Sequence, residues 1–185
     1  MHFLRHAFSY PSARTGIAGT GNEESLSRMF RILVVGVGNA YRSDDAAGLI
    51  VARRVREEIG ACVTVREESG EGTTLLASWK EVDAVILIDA THSGAAPGML
   101  HRFDVGVQSL PATVFRYSTH AFSVAEAVEL ARALGQLPSR FVVYGIEGKT
   151  FLAGVGLSVE VENAIEEAVQ RVRQEIHLWK ATEAE

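Results

Sequence analysis

The sequence predicts a three-layer α/β/α domain built on a mostly parallel sheet, and three observations predict it. Short apolar runs alternate with amphipathic segments from Arg31 onward. Two of those runs, RILVVGV and VDAVILIDA, are apolar without alternation, as strands covered on both faces must be. The amphipathic segments fall between the strands, where right-handed crossovers lay helices on the faces of a sheet. With 185 residues and 47% apolar side chains, the chain is long enough for one such domain with its own core.

Residues 1–29 mix Pro, Gly, Ser, Thr and Arg without a period of 2.0 or 3.6 and lack the apolar core of a secretory signal. They are expected to form a disordered N-terminal extension outside a single domain spanning residues 30–180. Met29, just before the first strand, is a candidate translation start. RILVVGV (31–37) is the expected central strand. Ser43 stands where an N-cap belongs, with Asp44 and Asp45 in the first turn, where the helix dipole favours acids. The helix they open runs to about Ile59, with Gly48, Ala52, Val55 and Ile59 on the inner face and Arg53, Arg54, Arg56, Glu57 and Glu58 left for solvent. ACVTVRE (61–67) is the next strand, Gly70 and Gly72 open a turn, and TTLLASWK is a short helix. VDAVILIDA (82–90) is a fully apolar strand ending in an acid. GMLHRFD (98–104) alternates and is expected at the periphery. A helix over 121–135 buries Val124, Ala127, Val128 and Ala131, and SRFVVYGIE (139–147) is the last strand. Val161, Ala164, Ile165, Ala168, Val172, Ile176 and Trp179 then follow a helical period for about five turns.

Charge and composition exclude several classes of partner. A net charge of −5 without a Lys/Arg block argues against nucleic acid. No apolar stretch approaches the roughly 20 residues of a membrane span. The single cysteine, Cys62, rules out an internal disulfide framework and a cysteine-based zinc site, which fits a reducing, cytoplasmic setting; Cys62 itself is expected in the core.

Chemistry in such a sheet is sought beyond the carboxyl ends of the strands. Three residues qualify: Asp45 after the first strand, Asp89 ending VILID, and His120 in the loop entering the third main helix. A carboxylate at the end of a buried apolar strand needs a cation or donors to offset its desolvation, which singles out Asp89. Asp44 reads as a favourable charge in a helical first turn and no more. Two carboxylates and an imidazole suit a divalent transition ion completed by water or substrate. Asn39 can bond the loop backbone, Arg42 can orient an acid or grip a substrate carboxylate, and His92 in THSG competes with His120 as a ligand. The alternative is a nucleotide-binding module, with Glu67 and Glu68 placed for a ribose; Tyr41 stands where a dinucleotide fingerprint needs its third glycine.

GVGNAYRSDDAAG, ILIDATHSG, YSTHAFSVAEAVELA and YGIEGKTFLAGVGLS, in this order and spacing, resemble the hydrogenase maturation proteases over roughly residues 31–175. The resemblance implies a five-stranded sheet with one antiparallel strand, for which GMLHRFD is the candidate. It implies an endopeptidase that trims the C-terminal tail of a nickel-iron hydrogenase large subunit. It assigns Asp45, Asp89 and His120 to contact with nickel already inserted in the large-subunit precursor, so that nickel arrives with the substrate. Glu147 and Lys149 also match the family pattern and are expected to line the substrate groove, without a catalytic role. Ala46 replaces the glycine that usually follows the second acid, and a small local adjustment is expected. A chaperone that binds an immature metalloprotein without cutting it would need the same trio.

Overall fold

The computed structural model describes residues 30–59, 63–111, 114–115 and 123–183. Five strands, β1 Ile32–Val37, β2 Thr64–Glu68, β3 Ala84–Thr91, β4 Leu100–Asp104 and β5 Arg140–Glu147, form one sheet in the order β2-β1-β3-β5-β4. All neighbours are parallel except β4 against β5, so LHRFD is the antiparallel edge strand, as expected. Every residue of β1 and β3 is buried, which explains why β1 and the Ala84–Ile88 stretch of β3 are apolar without alternation.

Among the described residues, four α-helices cover the sheet: α1 Ala47–Ile59, α2 Gly72–Ser78, α3 Val124–Ala133 and α4 Val159–Glu183. Alternation along the strands sends side chains to two separate cores. Ile32 and Val34 of β1 and Ile86 and Ile88 of β3 pack with Val51 and Val55 of α1 and Ile165, Val172 and Ile176 of α4. Leu33, Val35, Val85 and Leu87 pack on the other face with Leu75 of α2 and Val128 and Ala131 of α3. The three-layer architecture follows from that division. Each fully buried aliphatic side chain contributes about 1.5–3 kcal/mol relative to exposure.

The helix limits have local causes. Ser123 closes a capping box with Glu126 at the start of α3, two residues inside the boundary expected from periodicity. Glu71 caps α2 by accepting from the amides of Thr73 and Thr74. Ser43, by contrast, does not cap α1. It lies in a 3-10 turn, Ser43–Ala46, with φ of 51°, and its hydroxyl donates to the Leu152 carbonyl at 3.1 Å. The chain therefore reaches α1 through a tight turn stitched to a distant loop.

Candidate active site

The GVGNAYRSDD stretch is shaped by close backbone approach. A Cβ on Gly48 would collide with the carbonyl oxygens of Val37 and Ile88, and one on Gly36 would collide with the Gly48 carbonyl. The first turn of α1 thus lies directly on the ends of β1 and β3. Gly38 has φ of 146°, and a Cβ there would strike the Asp45 carbonyl, which instead accepts from the Asn39 amide at 3.2 Å. Asn39 Oδ1 accepts from the Tyr41 amide at 2.9 Å, the loop-bonding role read from sequence.

These contacts fold Asp45 back over the end of β1, where it faces Asp89 across a cleft of about 340 Å³ lined by Asn39, Tyr41, Arg42 and Phe115 among others. The two predicted acids, 44 residues apart in sequence, share one cavity because β1 and β3 are adjacent parallel strands. Arg42 Nη1 stands 3.6 Å from Asp45 Oδ2, which fits its expected role of orienting an acid.

Asp89 is 8% exposed, and among the described residues its hydrogen bond comes from the Ala90 amide at 2.8 Å. Burial, reinforced by the charge of Asp45, pushes its carboxyl up to about 7. The folded protein therefore holds a proton on Asp89 between pH 3.8 and about 7 that the unfolded chain releases, so stability contributed at low pH is lost as pH rises through that window. Asp89→Asn keeps the oxygen that accepts from Ala90 and removes the titration. In metal-free protein it is expected to raise stability at pH 8 by on the order of 2 kcal/mol while leaving it unchanged at pH 4. Thermal unfolding at the two pH values checks this, and an unchanged or lower midpoint at pH 8 contradicts a strained charge at Asp89.

Asp44 departs from its sequence reading. It is fully buried, and its carboxylate accepts from the amides of Lys149, Thr150 and Ser158 and from the Ser158 hydroxyl, at 2.6–2.9 Å. Burial acts to raise its pKa, but these four donors outweigh it and hold the carboxyl below its ordinary value. Its work is done on the 149–158 loop rather than on the helix dipole. Glu147 also differs from expectation. At 1% exposure it does not line a groove; it accepts from the Thr91 and Ser93 hydroxyls and the Ser93 and Gly94 amides. Again burial opposes ionisation and the donors, the Ser93 hydroxyl foremost, prevail. Lys149 is exposed and pairs with Glu160 at 2.7 Å.

The nucleotide alternative loses its anchors. The amides of Ser43 and Asp44, which a phosphate at this turn would need, donate instead to the carbonyls of Gly154 and Thr150. Glu67 is held by Arg53 and Arg56 at 2.7 and 3.0 Å. His92 packs edge-on against Phe151 and is not part of the cleft lining. Ala46 is buried in the 3-10 turn without a positive φ, so the usual glycine is not required there. His120, Cys62 and residues 1–29 lie outside the described residues. Among the described residues, no cluster of three or more His, Cys, Asp and Glu side chains is arranged to hold a metal ion, and no helix is long and apolar enough to cross a membrane.

Comparison with known proteins places these features in a lineage. A family model described as hydrogenase maturation protease matches residues 54–175. The hydrogenase 2 maturation protease of Escherichia coli (strain K12) is 29% identical over 146 residues, covering 77% of this chain and 88% of its own. The hydrogenase expression/formation protein HupD of Rhodobacter capsulatus is 28% identical over 156 residues, covering 80% of this chain and 72% of its own. Among solved structures, the NiFe hydrogenase maturation protease HybD from Thermococcus kodakarensis superposes with a TM-score of 0.61 at 26% identity, covering 78% of this chain and 97% of its own.

Proposed function

Because this chain belongs to the hydrogenase maturation protease family, we propose that it removes the C-terminal extension of a nickel-iron hydrogenase large-subunit precursor, and that it acts once nickel is in place. The observation that carries this reading is the convergence of Asp45 and a strained, buried Asp89 on one cleft at the carboxyl end of the sheet.

Two carboxylates sharing a poorly solvated cavity favour a divalent cation, and its arrival displaces the proton that Asp89 otherwise keeps. Nickel is here part of the substrate, carried in by the large subunit. Asp45, Asp89 and His120 are the residues assigned to contact it, with Arg42 steadying Asp45. Three oxygen and nitrogen donors without a thiolate make a weak site by themselves, one that is completed by ligands from the client. The reaction is hydrolysis of one peptide bond: a water adds to the scissile carbonyl, its proton passes to a nearby carboxylate, and that proton leaves with the departing amine. The products are a mature large subunit with a new carboxylate terminus and a released peptide.

The direct test incubates the full-length protein with nickel-loaded precursor and follows intact mass. A precursor shortened at its C-terminus is expected; a precursor that is bound but remains whole would favour the non-cleaving chaperone and overturn the proposal.

A further inference from the structure

We infer that Asp44 and Glu147 are positioning residues: these two buried carboxylates brace the end of β5 between the 3-10 turn that carries Asp45 and the end of β3 that carries Asp89, and so set the spacing of the cleft acids. The substrate side of this inference rests on the proposed proteolysis, whereas the brace itself is a property of the free protein.

Four consecutive residues, 147–150, make the connection. Glu147 lies opposite Thr91 in the β3–β5 register. Its side chain gathers the Thr91 hydroxyl at 3.0 Å, the Ser93 amide at 2.7 Å, the Ser93 hydroxyl at 2.9 Å and the Gly94 amide at 2.9 Å. The Gly148 amide then donates to the Thr91 carbonyl at 2.9 Å. The next two amides, of Lys149 and Thr150, donate to Asp44 Oδ2 at 2.8 and 2.9 Å, and the Thr150 carbonyl accepts from the Asp44 amide at 3.1 Å. Ser158 fills the rest of Asp44 with its amide at 2.6 Å and hydroxyl at 2.9 Å. Asp45 is the next residue after Asp44, and Asp89 is two residues before Thr91. One short segment is thereby bonded both to the turn that carries Asp45 and to the end of β3 with the residues that follow it.

The donor pattern requires a carboxylate at Asp44 and suits one at Glu147. Each accepts four bonds from N–H and O–H donors and gives none. Asp44→Asn would turn an NH2 group toward a backbone N–H in a buried setting whichever way the amide is oriented, whereas Glu147→Gln could keep its oxygen on the Ser93 and Gly94 amides and offer its NH2 to the Thr91 and Ser93 hydroxyls, so Glu147→Ala is the change that empties that site. A metal-reading pair is sensitive to such loosening, since partners behind metal ligands commonly affect function by about 10–100-fold.

Two measurements test the brace. In precursor processing, Asp44→Asn and Glu147→Ala are expected to lower kcat at least about tenfold with KM kept within about threefold. The milder Ser93→Ala and Ser158→Ala, each deleting one hydroxyl bond to a carboxylate, should lower kcat about threefold in protein that remains folded. Amide hydrogen exchange on the free protein gives the second readout. Asp44→Asn should speed exchange not only at Lys149, Thr150 and Ser158 but also at Ser93 and Gly94, and Ser93→Ala should speed it at Lys149 and Thr150. Wild-type kcat in the folded variants, or exchange that changes only at the partners of the altered carboxylate, overturns the inference. If the wild type itself fails to shorten the precursor, the proposed activity falls while the exchange pattern still decides the brace.

Discussion

Asp45→Asn, Asp89→Asn and His120→Ala are each expected to reduce processing of the nickel-loaded precursor by at least about a hundredfold. Under the proposed function each variant loses a direct contact to the client's nickel, so the effect should exceed that of removing a supporting partner. Stability should not follow activity. Asp45 is partly exposed and its ion pair with Arg42 is long at 3.6 Å, so losing that pair in Asp45→Asn should change stability by no more than about 1 kcal/mol. Asp89→Asn should make the metal-free protein more stable at pH 8 and yet inactive, since the buried charge that strains the fold is the one the cation needs. This opposition of effects separates a functional acid from a structural one. Precursor shortening followed by intact mass, beside thermal unfolding of the same preparations, checks it. Wild-type-like cleavage by two of the three variants would sink the site assignment.

The parts of the fold governed by local patterning were legible in sequence. β1 and β3 read as strands covered on both faces because neither alternates, although β3 and not β1 is the middle strand of the sheet, and α4 read as a long helix because its inner face repeats from Val161 to Trp179. Asp89 was legible for the same reason in reverse: a carboxylate at the end of an apolar strand needs an explanation. The same signal stood at Glu147, the last residue of the buried run RFVVYGIE, and its explanation lies in the Ser93 and Gly94 amides, more than fifty residues away in the chain. Asp44 was misread because its donors come from residues 149–158, across a contact that no local period encodes. Ser43 was misread for the same reason, since its hydroxyl reaches Leu152 instead of the helix it precedes. Sequence thus identified which acids enter the cleft but not the buried acids that hold them there.

Cleavage is also expected to depend on nickel in the client and not on metal supplied by the enzyme. Asp45 and Asp89 offer only carboxylate oxygens, and adding His120 contributes one imidazole; such a set, lacking a thiolate, holds a transition ion weakly unless further ligands come with the substrate. Purified enzyme should therefore be nearly metal-free, and after chelator treatment it should cut nickel-loaded precursor while leaving the nickel-free precursor whole. Protons should compete with the client's nickel. Because the Asp89 carboxyl sits near 7 before the cation arrives, each unit of pH below that value should weaken engagement of loaded precursor about tenfold. The loss should appear in KM at moderate acidity, because nickel-bound Asp89 has already surrendered its proton and the committed complex no longer feels the titration. Processing assays of both precursor forms across pH 5 to 8 decide the matter. Equal cutting of loaded and nickel-free precursor would overturn nickel sensing even if proteolysis stood, and a KM independent of pH would remove Asp89 from the contact.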